Sequence, residues 1–308
     1  MDELRYDGRV IVVTGGGRGL GREHALLLGA RGATVVVNDP GVELDGNGRS
    51  QHPAMAVAAE INDAGGRAVA DTNDISTPEG GAALVADALS QFGSIHGLVH
   101  NAGAGWSLDT VLGIHLKGAF HVLEPLWPVM CDQRYGRVVL TSSSAGLFGY
   151  SVEPDVPVSS LAYGAAKMGL AGMMHNLANI GRHHNILVNA IAPVAYTRMT
   201  ETMLDADFQK WLREEFPPGL VSPVVAWLLH EKAQTTHEIF AVGGGRVARI
   251  FVAETRGLNQ RGRLTVEDVA EHMPAITAAE DFRIFDSARD ELDFYAEMLG
   301  VDWKVSAE

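Results

Sequence analysis

The chain is poor in cysteine, in net positive charge and in long apolar runs. Cys131 is the only cysteine among 308 residues, which excludes an intrachain disulfide and suits a reducing compartment. Lysine and arginine number 24 against 38 aspartates and glutamates, a formal charge of −14. With no local basic patch, that balance speaks against a nucleic-acid or anionic-membrane surface, and the acidity is read as solubility. No apolar stretch is long enough to cross a bilayer, and the first residues are acidic rather than signal-like. The expectation is a soluble, cytoplasmic protein with no nucleic-acid or membrane partner. Histidine is not scarce, at 12 residues. Even so, His183 and His184 are adjacent in a loop and no cysteine-rich cluster closes a zinc site, so no metal is expected.

Glycine, at 35 residues, is abundant and its placement is informative. Val10 to Thr14 reads as a buried strand, followed at once by Gly15-Gly-Gly-Arg-Gly-Leu-Gly21 and an alanine- and leucine-rich helical run through Leu28. The glycines allow positive φ and close approach of a pyrophosphate, whose charge the helix N-terminus would receive. An isolated Gly-x-Gly-x-x-Gly reads equally well as a plain strand-to-helix turn. Here, however, a second strand from Ala33 to Asn38 ends in Asp39, where a nucleotide-binding unit places the acid that takes the adenosine ribose hydroxyls. Dinucleotide binding is the expectation.

A length prior would give about two domains, but strands and helices alternate almost to the end. Strands are predicted at Arg67 to Ala70, Gly97 to His100, Arg137 to Ser142, Ile186 to Ile191 and Glu238 to Val242. Helices are predicted over Pro53 to Ala64, Glu79 to Phe92, Leu108 to Cys131 and Leu161 to Gly181, with an exposed loop from Pro40 to His52. The pattern implies an α/β fold, a Rossmann-type doubly wound parallel sheet of about seven strands with helices on both faces. One catalytic domain, residues 1–246, would carry a helical extension over 247–308. Ligands bind where strand order reverses, which places the glycine turn and Asn101-Ala102-Gly103 on the two sides of one crevice.

Tyr163 and Lys167 stand four apart in a predicted helix, on one face. Free tyrosine titrates near pH 10. A cation about 4 Å away at an effective dielectric of about 20 contributes about 4 kcal/mol, roughly three pKa units at about 1.4 kcal/mol each. Such a phenol could act as acid or base near neutral pH. Met173 and Met174, further along, read as core or subunit contact.

With Thr14-Gly-x-x-x-Gly-x-Gly21, Asn101-Ala-Gly103, Ser142-Ser143, Tyr163-x-x-x-Lys167 and Asn189-Ala-Ile-Ala-Pro193 in this order, the chain resembles the short-chain dehydrogenase/reductases from about residue 8 to residue 246. Within them it resembles the 3-hydroxyacyl-CoA dehydrogenase units of peroxisomal multifunctional enzymes and bacterial 17β-hydroxysteroid dehydrogenase-like relatives, through Val35 to Asp39, His115-Leu-Lys-Gly118, Ala192 to Thr200 and Phe240 to Gly245. The resemblance implies that Tyr163 exchanges the substrate hydroxyl proton, Lys167 lowers its pKa and holds the nicotinamide ribose, and Ser143 hydrogen-bonds the substrate oxygen, although Ser142 and Ser144 are adjacent. It assigns Gly15, Gly17, Arg18, Gly19, Leu20 and Gly21 to the phosphate turn, Asp39 to the adenosine ribose and Asp74 and Ile75 to the adenine. Asn101, Ala102 and Gly103 fall by the ribose, and Pro193, Val194 and Thr197 by the nicotinamide amide.

His115 stands where the family has an asparagine that supports a proton relay. An imidazole can also carry a proton, and a structural histidine is the other reading. The segment from Asn101 to His115 is shorter than the family pattern, and Gly149 to Ser160 is longer. Both changes fall on the substrate rim. The resemblance implies NAD as cofactor, because Asp39 would repel a 2′-phosphate, although Arg18 is a feature of NADP-preferring relatives. It implies a homodimer or homotetramer and a small-molecule substrate, a 3-hydroxyacyl-CoA, with a hydroxysteroid or other bulky alcohol as runner-up. A nucleotide sensor that has lost catalysis would have no need of Ser143, Tyr163 and Lys167 together.

Overall fold

β-Branched runs alternating with alanine- and leucine-rich stretches produce a sheet covered by helices. In the computed structural model, residues 3–149, 157–201 and 206–301 are described. The elements run β1 (Val10–Thr14), α1 (Gly19–Ala30), β2 (Thr34–Asn38), α2 (His52–Asp63), β3 (Arg67–Asp71), α3 (Pro78–Phe92) and β4 (Gly97–His100). There follow α4 (Leu108–Val111), α5 (Gly118–Asp132), β5 (Gly136–Thr141), α6 (Ser144–Leu147), α7 (Ala162–Gly181) and β6 (Ile186–Pro193). Next come α8 (Arg198–Glu201), α9 (Ala206–Glu215), α10 (Ser222–Leu229), β7 (Ile239–Gly243) and β8 (Arg246–Ile250).

The sheet has eight strands in the order β3-β2-β1-β4-β5-β6-β7-β8. From β3 to β7 every pair is parallel, so the glycine turn and the segments after β4, β5 and β6 share one edge. Val12 sits opposite Val36 on one side and Leu98 on the other, at the reversal between β1 and β4. Ile11, Val13, Val35, Val37, Val99, Val139 and Ile191 pack with Ala25, Leu28, Ile61, Val225 and Leu229 in one core. By strand alternation, Val12, Val36, Leu98, Val138 and Leu140, all buried, face the other side.

The eighth strand departs from the predicted pattern. Gly244 and Gly245, at φ +55° and +73°, form the two-residue turn that returns the chain antiparallel beside β7. Three consecutive glycines read in the sequence as an end of the sheet, whereas they are a hairpin tip. A second departure lies in the helix predicted over Leu108 to Cys131. It is broken by a π turn, Leu112–Lys117, in which the Gly118 N–H reaches Gly113 O five residues back.

The chain divides into two compact units, Met1–Arg249 and Ile250–Glu308. The second holds the antiparallel pair β9 (Glu254–Thr255) and β10 (Phe282–Arg283) and the helices α11 (Val266–Ile276) and α12 (Ala288–Leu299). Thr265 and Asp268 form a capping box at the start of α11. The last helix begins at Ala288, where Ser287 Oγ caps it by accepting from Asp290 N. The enlarged rim segment from Gly149 to Ser160 lies mostly outside the described residues.

Candidate active site

The first and last glycines of the turn are held by contacts that leave no room for a side chain. Gly15 has φ +64°, and a Cβ there would lie 2.8 Å from Ala102 Cα; one on Gly21 would lie 2.2 Å from Gly15 O. Asn101 Nδ2 donates to Thr14 O and Gly15 O at 3.2 Å, and Thr14 Oγ1 accepts the N–H groups of Asn101 and Ala102 at 3.1 Å. The strand-four motif therefore braces the turn from behind. At the N-terminus of α1, Arg18 supplies no side-chain cap and the first turn has no acid, so its N–H groups and dipole are disposed toward an anion.

Asp39 is 8% exposed. Its Oδ2 accepts Gly17 N–H at 2.9 Å and its Oδ1 accepts Gly41 N–H at 2.8 Å, which fixes a carboxylate at the end of β2. Arg18 is turned away, donating to Val42 O at 3.0 Å. The loop it holds reaches across the edge, where Gly105 N–H donates to Leu44 O at 2.9 Å. Asp74 pairs with Arg49 beside buried Ile75. On the far side, Val194 N–H donates to Val242 O at 2.8 Å just past Pro193. A Cβ on Gly19 would meet Thr197 at 3.6 Å, so the glycine turn and the loop after β6 face each other. Fixed carboxylate, uncapped helix and side-chain-free turn fit a dinucleotide.

The three serines at the end of β5 separate by their hydrogen bonds. Ser142 is buried and donates its hydroxyl to Lys167 O at 2.7 Å, tying β5 to α7. Ser143, half-buried, caps α6 by accepting Ala145 N–H at 3.2 Å, which leaves its proton to donate. Tyr163 lies in the first turn of α7 and Lys167 one turn later. Lys167, 3% exposed, donates from Nζ to Thr141 O at 2.6 Å and stands 5.7 Å from the centre of the Tyr163 ring. Burial draws the Lys167 ammonium down to about 7. Burial therefore works against the charge that the phenol would draw on.

His115 joins this group through the π turn. Its ring is 1% exposed and edge-on to Tyr163 at 5.4 Å, and neither ring nitrogen has a hydrogen-bond partner among the described residues. Burial holds the imidazole well below its ordinary pKa, and the charge on Lys167 adds to this, with the Ala104 backbone working the other way. A Cβ on Gly103 would stand 2.3 Å from His115 Cε1, so the last glycine of Asn-Ala-Gly makes room for this ring.

Thr14, read in the sequence only as the first residue of the glycine motif, is the hub under the turn, and His100 escaped the sequence reading of the site. The signal for each was a polar residue ending an apolar strand. His96 and His100 do have His-x-x-x-His spacing, but His96 immediately precedes β4 and His100 ends it, about 13 Å apart at about 3.3 Å per residue, too far to share a metal. Among the described residues no group of three or more ligand-type side chains comes together, and no helix is long and apolar enough to cross a membrane.

The family model for short chain dehydrogenases matches residues 9–208. A short-chain type dehydrogenase/reductase of Mycobacterium tuberculosis is 43% identical over 281 residues, 87% of this chain and 94% of that protein. The peroxisomal multifunctional enzyme type 2 of Mus musculus is 40% identical over 270 residues, 84% of this chain but 35% of that protein. The full-length structure of the same enzyme from Drosophila melanogaster superposes with a TM-score of 0.76 at 32% identity, covering 96% of this chain and 50% of that one. This chain thus spans half or less of those multifunctional proteins. Matched along this length and equipped with Ser143, Tyr163 and Lys167 on one edge, the chain belongs to the short-chain dehydrogenase family and is an oxidoreductase acting on CH–OH groups.

Proposed function

We propose that this chain is an NAD-dependent dehydrogenase that oxidises a 3-hydroxyacyl-CoA to the 3-ketoacyl-CoA. The observation that carries the substrate assignment is the likeness to the multifunctional enzyme, which extends over 96% of this chain and so through its C-terminal unit. The substrate hydroxyl would lie between Ser143 and Tyr163. Ser143 donates to the oxygen, Tyr163 takes the proton, and Lys167, anchored on Thr141 O, turns its remaining ammonium protons toward the coenzyme ribose and the phenol. Gly15, Gly19, Gly21 and Asp39 would hold NAD, which would supply the hydride acceptor.

NAD over NADP is supported by Asp39, whose carboxylate is fixed by two backbone N–H groups and would meet a 2′-phosphate with like charge. Arg18 gives its guanidinium to Val42 O rather than to that position. A homodimer or homotetramer is supported by exposed Phe120 on α5 and exposed Met168 and Ile180 on α7, an apolar surface suited to helix packing.

The test is reduction of NAD and NADP with 3-hydroxyacyl-CoAs of both configurations and several chain lengths, beside hydroxysteroids and simple alcohols. Turnover of CoA esters with NAD is the expected result. Brisk steroid oxidation with no turnover of any CoA ester would reverse the substrate assignment, and a clear NADP preference would reverse the other.

A further inference from the structure

Thr14, His100 and His115 form a buried line from the glycine turn to the proton-transfer group. His100 is fully buried. Its Nε2 lies 2.9 Å from His115 O and its Nδ1 lies 3.4 Å from Thr14 Oγ1. The polarity of each link is forced. A carbonyl only accepts, so Nε2 carries the proton. Burial holds the His100 pKa down to about 4, so the ring is neutral and Nδ1 is an acceptor. Thr14 Oγ1 already receives two N–H groups, so its own proton points at Nδ1.

The His115 carbonyl belongs to the π turn, where backbone bonding has shifted to five-residue spacing and carbonyls leave the regular helical register. Such turns are tolerated where something outside the helix secures them. Here that anchor is a side chain on the central sheet, which is itself bonded to the residue beneath the glycine turn.

We propose that His100 is a positioning residue: its Nε2–H holds the His115 carbonyl, and with it the wide turn that sets the His115 ring against Tyr163, while its Nδ1 ties that arrangement to Thr14. The catalytic part of this rests on Tyr163 acting as the acid–base group.

The experiment compares His100→Leu, which fills the space without a donor, with His100→Gln, whose amide nitrogen can reach the Nε2 position. Three quantities are read: amide hydrogen exchange over Leu112 to Gly118, NAD affinity by titration, and kcat against pH. In His100→Leu, exchange in that segment should quicken at least about tenfold and kcat should fall about tenfold or more, with NAD affinity held within about threefold. His100→Gln should recover most of both. Wild-type exchange and kcat in His100→Leu would overturn the proposal, and so would equal damage in His100→Gln. A parallel loss of NAD affinity would also overturn it, since it would mark a general structural role.

Should His100→Leu fail to fold, the imidazole nitrogen resonances of the wild-type protein decide. An Nε2-protonated neutral tautomer supports the anchor, and an Nδ1-protonated one defeats it. If the wild-type protein turned over no alcohol, the acid–base reading would fall, while the exchange contrast between the two variants would still decide whether His100 secures the turn.

Discussion

The His115 ring stands edge-on to Tyr163, with 5.4 Å between centroids and 87° between planes, and both imidazole nitrogens lack partners among the described residues. Edge-to-face packing alone would be satisfied by any aromatic ring. An imidazole differs from the other rings in carrying two nitrogens that can take up and release a proton. Being neutral, it can pass a proton by exchanging tautomers without holding a charge that burial and Lys167 both oppose. His115→Phe keeps the ring and removes the nitrogens. It should lower kcat by about a hundredfold, the lower end of the range for a lost proton-transfer group, and leave NAD affinity within a few-fold. Wild-type kcat in this variant would make His115 a packing residue.

Tyr163→Phe removes the group assigned to the substrate proton and little contact area. Turnover should be abolished, with NAD affinity within a few-fold. Lys167→Ala should damage both, because the buried ammonium is bonded to Thr141 O and faces the coenzyme edge. Retention of the wild-type rate by Tyr163→Phe at saturating substrate and NAD would remove the phenol from the mechanism.

Most of the sheet and the placing of Tyr163 beside Lys167 were legible in the sequence because they are written in local patterns. Valine runs gave β1 and β2, the glycine spacing gave the turn, and four-residue spacing gave Tyr163 with Lys167. What was not legible depends on contacts between distant segments. The π turn has no local signature in Leu112 to Lys117, since its carbonyl is secured from β4 by His100. Ser142 and Ser143 differ by one position in sequence, and their hydrogen bonds, Ser142 to Lys167 O and Ala145 N–H to Ser143, tell them apart. Gly103 reads as a coenzyme contact by analogy, whereas here the nearest obstacle to a side chain is the His115 ring.

Gly103→Ala tests that contact directly. The added methyl would lie 2.3 Å from His115 Cε1, and the ring, closely enclosed, cannot swing aside. Overpacking of this kind costs about 1–3 kcal/mol, and it should act on kcat by displacing His115 as well as on the melting temperature. Pairing it with His115→Ala, which removes the obstacle, should restore most of the stability. Additive losses in the double variant would show that Gly103 is required for another reason.

Stability in the ligand-free protein should rise with pH in two windows. Burial holds His24 near 3 and His100 near 4, and His115 well below its ordinary value. As these folded-state values lie under the unfolded value of about 6.5, the unfolded chain binds more protons below that pH. Stability is then fully present above about pH 6.5 and is lost as pH falls toward 4, each histidine contributing up to about 1.4 kcal/mol per pH unit. Lys167, drawn down to about 7, has the same sign at higher pH: the folded protein sheds its proton above 7 while the unfolded lysine keeps it to about 10.4. Stability should therefore climb again between pH 7 and 10. Urea unfolding from pH 4.5 to 9.5 reads both windows. His24→Gln should flatten the acid limb by about one proton's slope and leave the alkaline limb unchanged, whereas Lys167→Met should flatten the alkaline one. An acid limb that His24→Gln does not alter would mean that this buried imidazole is charged in the folded protein.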